Sequence, residues 1–156
     1  MAFEALLSGR HERALRARGA VEPAGDVHGL MRVAYPGVFV LMLAEARWLG
    51  LASTAAATVG AVLFLAAKAL KYAAIRELGD RWSFRVLVLP DAPLVATGPY
   101  RLLRHPNYLA VVGELVGAAL MLGAAVSGPL ALAVFVPLLL ARTRVEDAAL
   151  GRRGQA

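Results

Sequence analysis

The sequence predicts an all-α integral membrane protein in which about four transmembrane helices form two hairpins within a single domain, residues 1–156. Hydrophobic residues make up 59% of the 156 residues and charged residues 18%. The mean hydropathy is +0.61, which is too apolar for an ordinary soluble domain of this size. Several apolar runs approach the length of about twenty residues that a helix needs to cross a bilayer.

Residues 1–29 predict a basic arm outside the membrane. A short apolar stretch at residues 5–7 precedes arginines at positions 10, 13, 16 and 18. A cleavable signal peptide has the opposite order, with charge before a long apolar run. Ser8 is a suitable cap for a short helix and Gly19 a suitable stop. The arm is therefore interpreted as an interfacial helix, with a solvated basic tail as the alternative.

Residues 30–71 predict the first hairpin. Its two helices run from residue 30 to about 49 and from residue 51 to about 71, and the second is almost entirely Ala, Val and Leu. Such a helix is about 30 Å long, which is enough to cross the hydrocarbon core. Because only Gly50 separates the two spans, we expect them to pack as a hairpin.

Residues 72–106 predict the connection to the second hairpin. Residues 72–78 continue the preceding helix, and Gly79 closes it. Residues 86–93 are short, partly β-branched and interrupted by two prolines, which predicts an extended or re-entrant cover. A Gly98-Pro99 turn then leads into the most polar and aromatic stretch of the connection.

Residues 107–150 predict the second hairpin, with helices over residues 107–126 and 130–141. The last run is short for a span, and the helix is expected to continue past the membrane surface. An acidic side chain at mid-helix depth, Glu114, is costly in lipid and requires a partner, for which Arg32, Lys68 or a tyrosine are candidates. Gly113 and Gly117 predict close helix approach.

The distribution of Lys and Arg predicts the orientation. Five lie in residues 1–32, seven in residues 68–104 and four in residues 142–153, whereas the other two connections hold only Arg47. The positive-inside rule places both termini and the motif loop in the cytoplasm, and we expect a bacterial cytoplasmic (inner) membrane. The basic residues are spread among the connections, which favours membrane lipid over nucleic acid as a partner.

The stretch of residues 97–108 is the candidate site. Arginines, a histidine and tyrosines gather there at the predicted N-terminus of a membrane helix, whose first residue is Pro106. Arg142, Glu146 and Asp147 share most of one helical face and reach this stretch if the last hairpin closes. The chain has no cysteine, so it has no thiolate nucleophile. No His, Asp and Glu spacing predicts a metal site.

The motif from Gly98 to Tyr108, with Glu114 and the Arg142-x-x-x-Glu146-Asp147 segment, resembles the isoprenylcysteine carboxyl methyltransferase family of integral membrane enzymes. The resemblance spans roughly residues 82–150. It implies a cytoplasmic loop that binds S-adenosyl-L-methionine and a methyl transfer to a lipophilic carboxylate or hydroxyl. By matching position it assigns catalytic roles to Arg104, Arg142, Glu146 and Asp147, and cofactor binding to Tyr100, His105, Pro106, Tyr108 and Glu146.

Segments at residues 8–13, 18–22 and 28–31 resemble the bacterial branch of this family that is associated with type III polyketide synthases. That resemblance implies alkylpyrones or alkylresorcinols as acceptors instead of prenylated proteins, with a polyketide synthase as a pathway neighbour. Two departures from the family pattern stand out. Asp147 replaces a second glutamate, and the chain ends six residues after Leu150, which implies a shortened cover over the site.

Other interpretations remain at this point. The motif is also similar to phospholipid N-methyltransferases and sterol reductases, although no long glycine-rich nucleotide loop supports a reductase. The short tail is consistent with a non-catalytic membrane partner protein. Individually, Arg104 fits a positive-inside residue, His105 a helix cap, and the Glu146-Asp147 pair a solvated helix end.

Overall fold

The computed structural model describes residues 2–90 and 92–151, and within them the fold is helical. Five α-helices follow one another: α1 (Ala2–Ala17), α2 (His28–Leu49), α3 (Thr54–Leu78), α4 (Pro106–Leu122) and α5 (Ser127–Gly151). Two short 3₁₀ helices, Gly79–Arg81 and Gly98–Arg101, lie in the connection between α3 and α4. The described residues form no strand, and the prediction of an all-α protein is confirmed for them.

Three helices of the described chain are long and apolar enough to cross a membrane: His28–Leu49, Thr54–Arg81 and Ser127–Gly151. The fourth apolar helix, α4, has 17 residues, near the lower limit of about 17 for a spanning helix. The last apolar run was expected to continue as a helix past the membrane surface, and α5 does extend from Ser127 to Gly151. The chain therefore has three to four helices that can span a membrane.

α4 is the central helix of the bundle, because it packs against α2, α3 and α5. Its closest neighbour is α3. The two backbones approach each other at glycines, which is the close helix contact predicted from Gly113 and Gly117. A Cβ on Gly117 would lie 2.6 Å from the backbone nitrogen of Phe64. Gly60 faces the same contact from α3. Small residues thus let α3 and α4 pack with the backbone contact that is common between membrane helices.

The expected pairing of α2 with α3 is not confirmed. The main helix contacts of α2 are with α4 and α5, and the hydrophobic core lies at that junction, around Met42, Leu115 and Phe135. Glu45 of α2 also caps α5, since its carboxylate accepts hydrogen bonds from the backbone N–H groups of Val126 and Ser127. A short loop between two helices does not make them pack together. Which helices are in contact depends on how their apolar faces fit.

The connection and the N-terminal arm cover one end of the bundle. Gly79 ends α3 with a positive φ of 55°, as predicted, and an isolated antiparallel bridge joins Val21 to Val88. Ser8 does not cap a helix; it lies in the middle of α1, where its hydroxyl accepts a hydrogen bond from the backbone N–H of Phe84. The basic arm is thus a helix tied to the segment that follows α3.

Candidate active site

The motif loop is held in place by α3. Gly98 adopts a φ of 54° and lies so close to Glu77 that a Cβ there would fall 2.5 Å from the Glu77 Cγ. The hydroxyl of Thr97 donates a hydrogen bond of 2.7 Å to the same glutamate. Glycine is required at this position because it tolerates both the backbone angle and the close approach. The turn leads into the 3₁₀ helix Gly98–Arg101, which contains Tyr100. The Tyr100 side chain is half-buried.

His105 immediately precedes α4, and Pro106 begins the helix at a position where its missing N–H costs no hydrogen bond. The His105 side chain makes no capping hydrogen bond to α4. Its ring instead faces α5: Nε2 lies 3.1 Å from Oδ1 of Asp147, and Nδ1 lies 3.4 Å from Oε2 of Glu146. His105 therefore occupies the N-cap position of α4, but its side chain does not cap the helix.

Tyr108 completes this cluster. Its hydroxyl donates a hydrogen bond of 2.7 Å to Oε2 of Glu146, and its ring stacks on that of His105 with centroids 5.4 Å apart. The hydrogen bond to Glu146, followed by the interaction with Asp147, raises the pKa of His105 above its usual value. The cluster therefore favours an imidazolium held between two carboxylates.

Arg142 lies one helical turn before Glu146 and is almost fully buried. Its guanidinium stacks over the Tyr108 ring at 5.8 Å, and its Nε lies 3.5 Å from Oδ1 of Asp26. It also donates a hydrogen bond to the backbone carbonyl of Phe84. Arg142 thus joins α5 to the residues before α2 and after α3, and its charge is fixed in a nearly dry environment.

These side chains line a cavity of about 1030 Å³. Every predicted site residue except Pro106, which is buried at the start of α4, contributes to its wall; those residues are Tyr100, Arg104, His105, Tyr108, Arg142, Glu146 and Asp147. The cavity lies at the upper end of the roughly 300–1,000 Å³ typical of small-molecule sites. The structure therefore brings together the two stretches that the sequence separates by more than thirty positions.

Arg104 differs from the other site residues because it is exposed. In the part of the chain that the structure describes, it has no ion pair, whereas Arg142 is enclosed. Four buried polar atoms of the described residues lack a hydrogen-bond partner. Oε1 of Glu114 and Nε of Arg142 have ion pairs, whereas Nε1 of Trp82 and Oδ1 of Asn107 have none.

A second polar cluster at the cavity was only partly predicted. Glu114 lies 2.9 Å from Nζ of Lys71 and 3.2 Å from Nζ of Lys68, and it accepts a 2.5 Å hydrogen bond from the hydroxyl of Tyr35. Glu4 of α1 lies 3.4 Å from Lys68 and 3.6 Å from Lys71. Lys68 and a tyrosine were among the expected partners of Glu114.

Lys71 and Glu4 were not predicted as site residues. Lys71 resembled a basic residue at the end of a span, and Glu4 lay in the basic arm. The only available signal was Glu4 itself, since it stands alone among apolar residues at the start of α1. Nothing in its spacing connects it with α3, 64 positions away.

The cavity combines groups that suit a ligand with both charges and an aromatic part. Arg142 supplies a buried cation, Glu146 and Asp147 supply carboxylates, and the rings of His105 and Tyr108 supply aromatic faces. The described residues contain no group of three or more His, Cys, Asp or Glu side chains that could hold a metal ion.

Comparison with known proteins places this site within a protein family. A model of the isoprenylcysteine carboxyl methyltransferase family matches residues 59–152, which is more than half of the chain and includes the whole motif loop. An uncharacterized protein of Haemophilus influenzae is 27% identical over 145 residues, covering 92% of this chain and 84% of that protein. The uncharacterized protein YpbQ of Bacillus subtilis is 28% identical over 158 residues, covering 96% and 89%. No solved structure matches.

Proposed function

Because this chain belongs to the isoprenylcysteine carboxyl methyltransferase family, we propose that it is a membrane-embedded O-methyltransferase that uses S-adenosyl-L-methionine. The acceptor is a lipophilic carboxylate or hydroxyl, of which isoprenylcysteines and alkylpyrones are the two classes considered. The observation that carries the proposal is the cluster of His105, Tyr108, Glu146 and Asp147 in the wall of a large cavity.

The residues of the cavity fit the cofactor. Arg142 suits its carboxylate, and Glu146 suits its ammonium group or its ribose hydroxyls. The aromatic faces of Tyr108 and His105 suit a sulfonium cation or an adenine ring.

The cofactor supplies an electrophilic methyl group for displacement at carbon. The protein contributes position and charge, because such a displacement depends on alignment and on electrostatic stabilisation. Arg104 is free to bind a charged group of a ligand in the cavity, whereas Arg142 is held by its own contacts. A carboxylate is ionised at neutral pH and needs no base, while a phenol requires one, for which Glu146, Asp147 and His105 are candidates.

The membrane location follows from the acceptor. A hydrocarbon tail is dissolved in the bilayer and reaches a cavity between helices from the side, while the cofactor arrives from water. We propose that the motif loop and both termini face the cytoplasm, as the distribution of Lys and Arg indicates. We propose the inner membrane of a bacterium as its location and a polyketide synthase as a suitable source of alkylpyrones.

Transfer of labelled methyl groups tests the proposal. Purified protein in detergent is incubated with methyl-labelled S-adenosylmethionine and four acceptors: a prenylated cysteine, an alkylpyrone, an alkylresorcinol and phosphatidylethanolamine. Transfer to any of the first three that is lost in Glu146→Gln supports O-methylation. Transfer to phosphatidylethanolamine alone identifies an N-methyltransferase and contradicts the proposal, and cofactor binding without any transfer identifies a non-catalytic partner.

A further inference from the structure

The proposed function leaves the second polar cluster without a role. Glu4, Lys68, Lys71 and Glu114 form a network of ion pairs between α1, α3 and α4. Glu4, Lys71 and Glu114 are 2%, 3% and 1% exposed. Charged groups this deeply buried are expensive, so a protein that keeps three of them in one place, beside a partly exposed Lys68, has a use for them.

The cluster faces the cavity of the candidate active site. Glu4, Lys71 and Tyr35 line the same cavity as Glu146 and His105. Glu114 follows Tyr108 by six positions on α4, which is about 9 Å along the helix axis. The cluster therefore lies further along α4 than the motif loop, beside the same cavity.

The charged residues of the cluster come from two parts of the fold. The two lysines and Glu114 come from α3 and α4, the most closely packed pair of helices, whereas Glu4 comes from α1. With Glu4 present, the four side-chain charges cancel. Without Glu4, the remaining three leave one net positive charge among largely buried side chains, which one monovalent anion neutralises.

Glu4 is held less firmly than the other members. Its ion pairs of 3.4 and 3.6 Å are longer than those of Glu114 with the same lysines. Glu4 is buried, but its neighbours Phe3, Ala5 and Leu6 are exposed. The attachments of α1 to the connection lie further along, where Ser8 and His11 contact residues 82–84. The first turn of α1 can therefore leave the cavity while the rest of α1 stays attached.

We propose that Lys71, with Lys68 and Glu114, binds the acidic head of a monoanionic amphiphile, and that Glu4 occupies this position when the acceptor is absent. This inference rests on the proposed function, and it names the class of acceptor: one ionised carboxylate or enolate on one hydrocarbon tail. A neutral phenol is a poorer fit, since it leaves the extra positive charge of the cluster without a partner.

Methyl transfer to an anionic acceptor requires no base. The acceptor oxygen forms the new bond to the methyl carbon, the bond between that carbon and sulfur breaks, and the electron pair stays on sulfur. The acceptor arrives without its proton, so no base is consumed. Loss of the negative charge on methylation removes the attraction to Lys71, which allows Glu4 to return and the neutral product to leave.

Binding of matched acids and neutral products tests this inference. The ligands are a prenylated cysteine with its methyl ester, and an alkylpyrone with its methyl ether, titrated into protein saturated with S-adenosylhomocysteine. The acid of at least one pair should bind more tightly than its neutral product. In Glu4→Gln the acid should bind roughly tenfold more tightly still, because an internal competitor has been removed, while the affinity for the neutral ligand stays unchanged.

Two variants separate recognition from folding. Glu4→Gln/Lys71→Met keeps the cluster neutral, with Lys68 paired to Glu114, and should lose the preference for the acid. Asp80→Asn removes an acidic group that, like its ion-pair partner Arg18, does not line the cavity, and this variant should bind as wild type. Equal binding of acid and neutral ligand in both pairs, or acid binding that Glu4→Gln does not strengthen, overturns the inference. S-adenosylhomocysteine binding in the same samples reports separately on the proposed function.

Discussion

The hydroxyl of Tyr108 lies 2.7 Å from Oε2 of Glu146 and donates a hydrogen bond to it across 38 positions of sequence. This contact joins the first turn of α4 to the last turns of α5. The same glutamate also contacts His105, and the guanidinium of Arg142 lies over the tyrosine ring. One carboxylate thereby links the motif loop to the end of the chain's last helix and fixes one wall of the cavity.

Glu114→Gln should destabilise the protein more than Glu4→Gln. Glu114 makes the shorter ion pairs with both lysines and also accepts the Tyr35 hydrogen bond. Its loss leaves a buried, uncompensated lysine, for which a cost of about 3–5 kcal/mol is expected. Thermal unfolding in detergent measures both variants side by side. Equal losses would show that the two carboxylates support the cluster equally.

Gly117→Ala should destabilise the contact between α3 and α4. The new Cβ would lie 2.6 Å from the backbone nitrogen of Phe64, so the two backbones must separate. A cost of about 1–3 kcal/mol is typical of such overpacking. Gly37→Ala is the matched control, because a Cβ at Gly37 meets no atom within 4 Å. A loss of stability in the control as large as in Gly117→Ala would refute the steric explanation.

The stability of the His105 cluster should depend on pH. The carboxylates of Glu146 and Asp147 raise the His105 pKa from its usual 6.5, so the charged form contributes stability that is fully present below about pH 6.5. This contribution is lost as the pH rises through the higher folded-state pKa. The difference in Tm between wild type and His105→Gln should therefore shrink between about pH 6 and pH 9. A difference that stays constant over this range would contradict the assignment.

Arg104→Ala should reduce activity, and Arg101→Ala should not. Both arginines are exposed in the same loop, but only Arg104 lines the cavity. A role in binding a charged group of a ligand in the cavity predicts a fall in kcat/KM of roughly tenfold, equivalent to about 1.4 kcal/mol of transition-state binding. The methyl-transfer assay measures both variants under one set of conditions. Equal activity in the two variants would identify Arg104 as an ordinary basic residue of the loop.

The sequence predicted the helical class and the family, and it predicted which two stretches form the candidate site. These features depend on local signals. Turn glycines such as Gly79 and Gly98 mark where helices end and where the loop begins. The spacing of Arg142 and Glu146 places both on one helix face. The glycines at positions 113 and 117 mark a close helix contact.

The arrangement of the helices was harder to predict. The single residue between the first two spans suggested a hairpin, but α2 packs mainly against α4 and α5, because apolar residues such as Met42 fit that junction. The position of Glu4 next to Lys71 was missed for a similar reason. It depends on how α1 folds back over the bundle, and no periodic pattern in the sequence records that contact. The predicted cytoplasmic orientation remains a prediction.

Isothermal titration of S-adenosylhomocysteine into the detergent-solubilised protein tests the central claim most directly. The account predicts saturable binding to the wild type and an affinity lower by roughly ten- to a hundredfold in Glu146→Gln, the loss expected when hydrogen bonds to a charged group are removed. Tyr108→Phe should weaken binding less, because Glu146 keeps its charge. Absence of binding to folded wild-type protein, or undiminished binding to Glu146→Gln, would contradict the claim that this cavity holds the methyl donor.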